Sequence, residues 1–294
     1  MQTEALSFWD WQHPFKDEAR CLQELIPLRW PEGFRCPCCG HDQGWLLQSR
    51  RAIECSNCHR QISITAGTLF EHSNVPLAKW FWAIYWVGSD KGSISALRLS
   101  KLIGVSWVTA SRLLRKLRHA MGDQNRLYRL TDVIELDDAL LGGKRSGKRG
   151  RGAEGKTAIL VACENHDGKP GFVAMKAVER VTQETVKQFA QDVLTPDQIV
   201  HTDALKALNV LDEEHHHMAR VTPPEQASEW LPWVHVAISN FKSLVLGTYH
   251  GISGRYVQDY LDEYCYRLNR RFWEDQIPRR LLGLCVCHAP VCLT

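Results

Sequence analysis

No stretch of this chain is both long and apolar enough for a bilayer. The strongest run, around Trp80 to Val87, falls well short of the roughly 20 residues a spanning helix needs. The start, Met1-Gln2-Thr3-Glu4, lacks the basic and apolar regions of a signal peptide, so the expected location is cytoplasmic and no membrane partner is expected. Internal repeats and low-complexity tracts are missing too, which argues against an array or a largely disordered chain. Net charge is only +3, but it is unevenly spread: residues 1–130 hold 17 Lys and Arg against 11 Asp and Glu. Acidic residues are absent altogether between Lys91 and Arg118, where seven basic residues stand. From Lys144 to Lys156, six basic residues face Glu154 alone. One such run is commonly a solvated face, whereas two in one chain favour a polyanionic partner. With 44% apolar and 23% charged residues over 294 positions, the composition is that of a globular protein of two or three small domains.

Cysteine is plentiful, at 11 residues, yet the count is odd and four of them form two Cys-x-x-Cys pairs, Cys36/Cys39 and Cys55/Cys58. A chain this large needs no disulfide staples, so the pattern points to thiolates on a metal in a reducing compartment. Two tight turns that each present two thiolates satisfy a tetrahedral zinc ion completely. No coordination position remains for a reacting water, so this zinc is structural. The ribbon is expected over 31–70, behind a helical lead-in over 1–30, with Cys38 a bystander.

Pro76 to Val87 reads as a buried helix with proline in its first turn. Ile94 to Leu102, a Gly104-Val105-Ser106 turn, and Trp107 to His119 follow helix-turn-helix grammar within 75–122. Leu97, Leu102, Val105, Val108, Leu113, Leu114 and Leu117 are expected to close its core. Thr109, Arg112, Arg115 and Lys116 remain outside for a DNA groove; the plainer alternative is a helical hairpin whose basic residues only solubilise it.

Beyond Arg129 the texture becomes β-rich: Val133 to Leu136, Thr157 to Cys163, Gly171 to Ala177 and Gln198 to His201, with a helix from Gln183 to Val193 and others near Val236 to Leu246 and Gly254 to Trp273. Strands followed by alternating helix and strand predict an α/β fold, a mixed sheet flanked by helices over 130–280. Asp137 and Asp203 each end an apolar strand. If those strands are neighbours, both carboxylates emerge at one sheet edge and can hold two divalent cations roughly 3.5–4 Å apart. Hard oxygen donors with open positions select Mg²⁺ or Mn²⁺. Asn240 is the candidate third ligand, with Glu225 and Glu229 as acidic alternatives. Lys242 is suited to a phosphate, although residues i and i+2 do not share a helix face. Taken singly, Asp137 can be a turn residue and Asp203 a helix cap. The Gly/Lys/Arg-rich segment 142–156 reads as a hairpin loop with Lys144, Arg145, Lys148, Arg149 and Arg151 available to DNA. His250 is either a DNA contact or a packing residue, and His215-His216-His217 reads as a polar loop.

Several motifs together carry a resemblance: Cys36-Pro37-Cys38-Cys39-Gly40, Pro76-Leu77-Ala78-Lys79-Trp80, Ile134-Glu135-Leu136-Asp137, Gly147-Lys148-Arg149-Gly150, His201-Thr202-Asp203, Ile238-Ser239-Asn240-Phe241-Lys242, Gly247-Thr248-Tyr249-His250-Gly251 and Tyr260-Leu261-Asp262-Glu263-Tyr264. In this order, from about Trp9 to Trp273, they resemble bacterial insertion-sequence transposases with an N-terminal zinc ribbon and a DDE-type core. The resemblance is to the branch whose third ligand is Asn, followed by Lys. It implies an RNase H-like fold and Mg²⁺- or Mn²⁺-dependent cleavage and strand transfer on terminal inverted repeats and target DNA. It also implies a homo-oligomer on DNA in the bacterial nucleoid. Carried over by position, Asp137, Asp203 and Asn240 fall on the metal-ligand positions and Lys242 on the accompanying basic position. Asp138 departs from the pattern, where Glu is expected; Trp107 stands earlier than the usual Trp; and the tail 281–294 matches nothing in it. The rival reading is a catalytically inactive, domesticated zinc-ribbon and helix-turn-helix regulator, and a nuclease without joining activity is a third.

Overall fold

The computed structural model describes residues 7–13, 15–142, 156–221, 223 and 227–291, with the side chains of 227 and 228 left out. The expected DNA contacts Lys144, Arg145, Lys148, Arg149 and Arg151, and the alternative ligand Glu225, therefore lie outside the described residues. The chain divides into two compact units, one formed by residues up to 120 and from 272 onward, the other by 121–271.

The first unit begins with helices α1 (Phe8–Gln12) and α2 (Glu18–Arg29), followed by a three-stranded antiparallel sheet of β1 (Gly44–Leu47), β2 (Ala52–Cys55) and β3 (Gln61–Ser63). Helix α3 (Leu77–Ser89) is preceded by Pro76, whose missing N–H costs a helix start nothing. Trp80, Phe81 and Ile84 of this helix are buried, and α2 and the C-terminal helix α10 (Ile277–Cys287) pack against it. Gly88 is required there, because a Cβ at that position would lie 2.8 Å from the Pro278 nitrogen. The tail that matched no pattern thus supplies core: Leu281, Leu282, Cys285 and Val286 of α10 are buried, and the boundary expected at 280 falls inside this helix.

Helix α4 (Ala96–Ile103) is capped by the Ser95 hydroxyl and closed by Gly104 in the left-handed conformation, and α5 (Trp107–Asn125) starts after Ser106, whose hydroxyl accepts the Thr109 N–H. The expected core needs correcting. Leu113, Leu114 and Leu117 are buried, but Leu97, Leu102 and Val108 are exposed and Val105 is half-buried. Leu99, Ile103 and Ala110 do the inward packing instead, because Leu99 and Ile103, four residues apart, share the inner face of α4 and Leu97 and Leu102 lie off it.

The second unit is built on a five-stranded sheet, β4 (Val133–Leu141), β5 (Thr157–His166), β6 (Lys169–Val178), β7 (Ile199–Asp203) and β8 (His216–Arg220), in the order β6-β5-β4-β7-β8. β4, β5 and β6 form an antiparallel meander, and β7 and β8 add in parallel on the other side of β4. This mixed order is the RNase H-like sheet. Side chains alternate across it. Ile134, Leu136 and Val200 face α6 (Gln183–Val193), whereas Ala139, Leu141, Val161 and Cys163 face α8 (Pro232–Leu244) and α9 (Val257–Leu268). Two sequence readings change. β4 continues four residues past Asp137, so this aspartate lies within a strand, because Asp138 to Leu141 keep pairing with β5. The polyhistidine segment is a strand: His217 gives one ring nitrogen to Thr202 Oγ1 at 2.7 Å and the other to Asp212 at 3.1 Å.

Edge strand β6 is covered by polar groups at the end of α9, where the amide of its C-cap residue Asn269 bonds both N–H and C=O of Val173. In α9 Asp262 is half-buried beside Gly122, accepting from Gln258 Nε2 at 2.8 Å. Burial pushes its carboxyl up to about 7, against Arg126, which lowers it, and with Asp259 and Asp123, which raise it further. A carboxyl with a raised folded-state pKa binds its proton more tightly folded than unfolded. Stability is therefore fully present below the unfolded value near 4 and falls as pH rises to about 7. Chemical denaturation across that window should show this decline, and Asp262→Asn should flatten it.

Candidate active site

β4 and β7 run parallel with Leu136 opposite Thr202, so the next residues, Asp137 and Asp203, stand at one level on neighbouring strands about 4.8 Å apart. β7 ends there while β4 continues. The alternation that sends Leu136 and Thr202 to the α6 side turns Asp137 and Asp203 to the α8 side. Asp137 Oδ1 accepts the Asp138 N–H at 2.8 Å, and Asp203 Oδ1 accepts the Leu205 N–H at 3.1 Å, which fixes one oxygen of each carboxylate.

Glu135, two residues before Asp137 and on the same face, is fully buried. Its Oε2 accepts the Trp233 and Val234 N–H groups at 2.7 and 2.9 Å, and its Oε1 accepts from Asn165 Nδ2 at 2.8 Å. The first turn of α8 is thus capped by a strand carboxylate, with the helix dipole in its favour. Burial raises the Glu135 pKa, and the two amides and Asn165 oppose it.

Seated in this way, α8 directs His235 Nε2 to Asp137 Oδ2, 3.2 Å away. The hydrogen bond to Asp137 raises the histidine pKa despite burial, and the charges of Asp137, Glu135 and Asp203 add to it. At about 100° per residue, Lys242 falls within about 20° of His235, on the same flank two turns on, whereas Asn240 lies about 140° round the helix. Asn240 is exposed on the side of Tyr264 of α9, near enough to oppose the rise that burial gives the tyrosine's pKa. His250 follows the π-helical turn Val245–Tyr249, exposed and in the left-handed conformation.

In the ribbon the four sulfurs of Cys36, Cys39, Cys55 and Cys58 lie within 4.8 Å of one another. The Cys36–Cys58 and Cys39–Cys55 separations are 3.6 and 3.5 Å, close to the edge of about 3.8 Å for a tetrahedron with 2.3 Å zinc–sulfur bonds. Both knuckles share one construction. Gly40 N–H bonds Cys36 O, His59 N–H bonds Cys55 O, and Gly40 and His59 both have positive φ. The His41 N–H directed at the Cys39 sulfur is the main reason that its thiol is lowered to about 6. Such a thiolate set fits structural zinc, and Cys38 is exposed.

Residues 129–269 match the ISXO2-like transposase domain, and residues 16–61 match the transposase zinc-ribbon domain. The chain belongs to the insertion-sequence transposases that carry these two domains. This transposase is also 29% identical over 218 residues to an uncharacterized protein in transposable element ISH50 of Halobacterium salinarum, covering 68% of this chain and 72% of that one. Among solved structures, the Mos1 strand transfer complex covers 76% of this chain and 82% of its own at 12% identity and a TM-score of 0.31. The Mos1 mariner paired end complex with Mn covers 68% and 75% at 13% identity and 0.30. Among the described residues no helix is long and apolar enough to cross a membrane.

Within the transposase, Arg112 is exposed, Arg115 and Lys116 are half-buried, and the Lys116 ammonium reaches Leu69 O at 3.4 Å. Thr109 is half-buried, with its hydroxyl 2.9 Å from that of Ser106. Glu229 is exposed on α7 (Ala227–Trp230). Sequence reasoning missed three residues near the carboxylates. Glu135 was legible from strand alternation, two places before Asp137. His235 stands three residues before the Ile238–Lys242 motif. Arg220, opposite Asp203 on β8 and with its guanidinium over Trp230, had no signal, since β8 itself was unrecognised.

Proposed function

We propose that this protein binds the terminal inverted repeats of an insertion sequence and, as a homo-oligomer on DNA, catalyses divalent-cation-dependent strand cleavage and strand transfer. The observation that carries the reading is the convergence of Asp137 and Asp203, 66 positions apart in the chain, at one level on the α8 face. Two half-buried hard-oxygen donors from adjacent strands, each with one oxygen already bonded to backbone, suit Mg²⁺ or Mn²⁺. When bound, such ions activate the attacking oxygen and neutralise the leaving one. The chain's own part is to hold and orient. Asp137 and Asp203 would hold the cations, and Lys242, on the flank of α8 that carries His235, meets a phosphate oxygen.

In the first step, water oxygen bonds to phosphorus and the 3′ oxygen leaves as a hydroxyl. In the second, that hydroxyl attacks a target phosphodiester, expelling another 3′ oxygen, and no protein–DNA bond forms. Thr109, Arg112, Arg115 and Lys116 of α5, the basic run Lys144, Arg145, Lys148, Arg149 and Arg151, and His250 are the proposed DNA contacts, and the zinc ribbon supports end binding. Asn240, named by the resemblance, is one candidate for a third ligand from α8. The test is incubation of the purified protein with DNA carrying the element's own ends and Mg²⁺ or Mn²⁺. Cleaved and joined products are expected; end binding without cutting would leave a DNA-binding regulator, and cutting without joining a nuclease.

A further inference from the structure

Helix α8 lies over β4 and β5, with Val234, Ala237, Ile238 and Phe241 buried against the sheet. One flank therefore faces β7, which carries Asp203, and the other faces α9, which covers β6. His235 occupies the β7 flank and meets Asp137 at 3.2 Å, with Asp203 close enough for its charge to act on the imidazole. Asn240 occupies the α9 flank, beside Tyr264, whose hydroxyl donates to Ala237 O at 3.1 Å.

We infer that His235, through Nε2, is the third protein ligand of the divalent cation held by Asp137 and Asp203, and that Asn240 belongs to the contact between α8 and α9. This rests on the carboxylate reading of the preceding section. Ligands at about 2.1 Å in cis positions of an octahedral ion are about 3.0 Å apart, near the observed separation of Nε2 and Oδ2. The site accepts an ion there without moving α8, which Glu135 holds by two amides. For Asn240 to take the same place, the helix would have to turn by about 140°, lifting Val234 and Phe241 from the core. An imidazole beside two carboxylates also changes the preferred metal. Nitrogen donors suit Mn²⁺ and later transition ions better than Mg²⁺, so this site favours Mn²⁺ over Mg²⁺.

The test uses the full-length, zinc-loaded protein titrated with MnCl₂ and followed by pulsed electron paramagnetic resonance. A nitrogen hyperfine coupling on bound Mn²⁺ is expected, altered by isotopic labelling of histidine nitrogen, lost in His235→Gln and kept in Asn240→Ala. Mn²⁺ affinity should weaken about tenfold or more in His235→Gln, since loss of even an outer partner of a ligand costs 10–100-fold. Coupling insensitive to histidine labelling, or lost in Asn240→Ala, overturns the inference. Asp137→Ala separates the two levels. If it abolishes Mn²⁺ binding while His235→Gln changes nothing, only the histidine assignment fails; if Mn²⁺ binding survives Asp137→Ala, the carboxylate reading fails with it.

Discussion

Asp137→Ala and Asp203→Ala are each expected to reduce strand cleavage and joining by at least about 10³-fold while binding to the element's ends is retained. In the proposed site the two carboxylates would supply most of the negative charge that holds the cations, and such ions stabilise charge at the attacking and leaving oxygens by several kcal/mol. A loss of about 4 kcal/mol corresponds to about three decades in rate. Both side chains are at the surface of the sheet's α8 face, with neither part of the apolar packing, so circular dichroism and thermal melting should change little. Asp192→Ala is the matched control. That residue sits on α6 across the sheet, in an exposed pair with Lys176 at 2.6 Å, and its loss should leave the rate unchanged. Wild-type rates in either catalytic variant would remove the paired strands from the chemistry altogether.

How much was legible in the sequence depended on whether the constraint was local. The zinc ligands are set by two four-residue turns whose spacing closes a tetrahedron, so Cys36, Cys39, Cys55 and Cys58 come together as expected. The two aspartates were legible because each follows an alternating apolar run, and the sheet then supplied the parallel neighbours that no local pattern encodes. Strand ends were harder: β4 outlasts β7 because its other neighbour continues, a fact of pairing and not of composition. β8 was missed because His216-His217-Met218-Ala219-Arg220 has no apolar face to report, being mostly exposed at the end of the sheet. In α4 and α5 the hydrophobic residues were recognised but not their direction, since Leu97, Leu102 and Val108 turn to solvent and Leu99 and Ile103 turn inward. The same limit applies to α8. Its motif was found, but the flank that meets the carboxylates follows from the seat given to its first turn.

That seat is Glu135, and Glu135→Ala is expected to destabilise the catalytic unit by about 3 kcal/mol or more in a urea titration. The alanine leaves three donors without the acceptor they now share: the Trp233 and Val234 amides and the Asn165 side chain. Stranded buried donors cost about 1–3 kcal/mol each, and relief of a buried charge offsets part of the sum. Glu135→Gln should cost less, because its carbonyl oxygen can still accept both helix amides. It does not restore everything, since its NH₂ then meets the NH₂ of Asn165, and turning that amide round would break the bond from Gly168 N to Asn165 Oδ1. Activity should follow α8 and not net charge. In Glu135→Ala the helix loses its register over β4, so His235 withdraws from Asp137 and cleavage falls with stability; in Glu135→Gln the register and most of the rate remain. Burial raises the Glu135 pKa, so its ionised form opposes folding, and this part of stability declines as pH rises above the ordinary carboxylate range. Both variants should lack that component of the slope, and only the glutamine should keep the helix in place. Equal stability and equal activity of the two variants would mean that α8 is held by its apolar face alone.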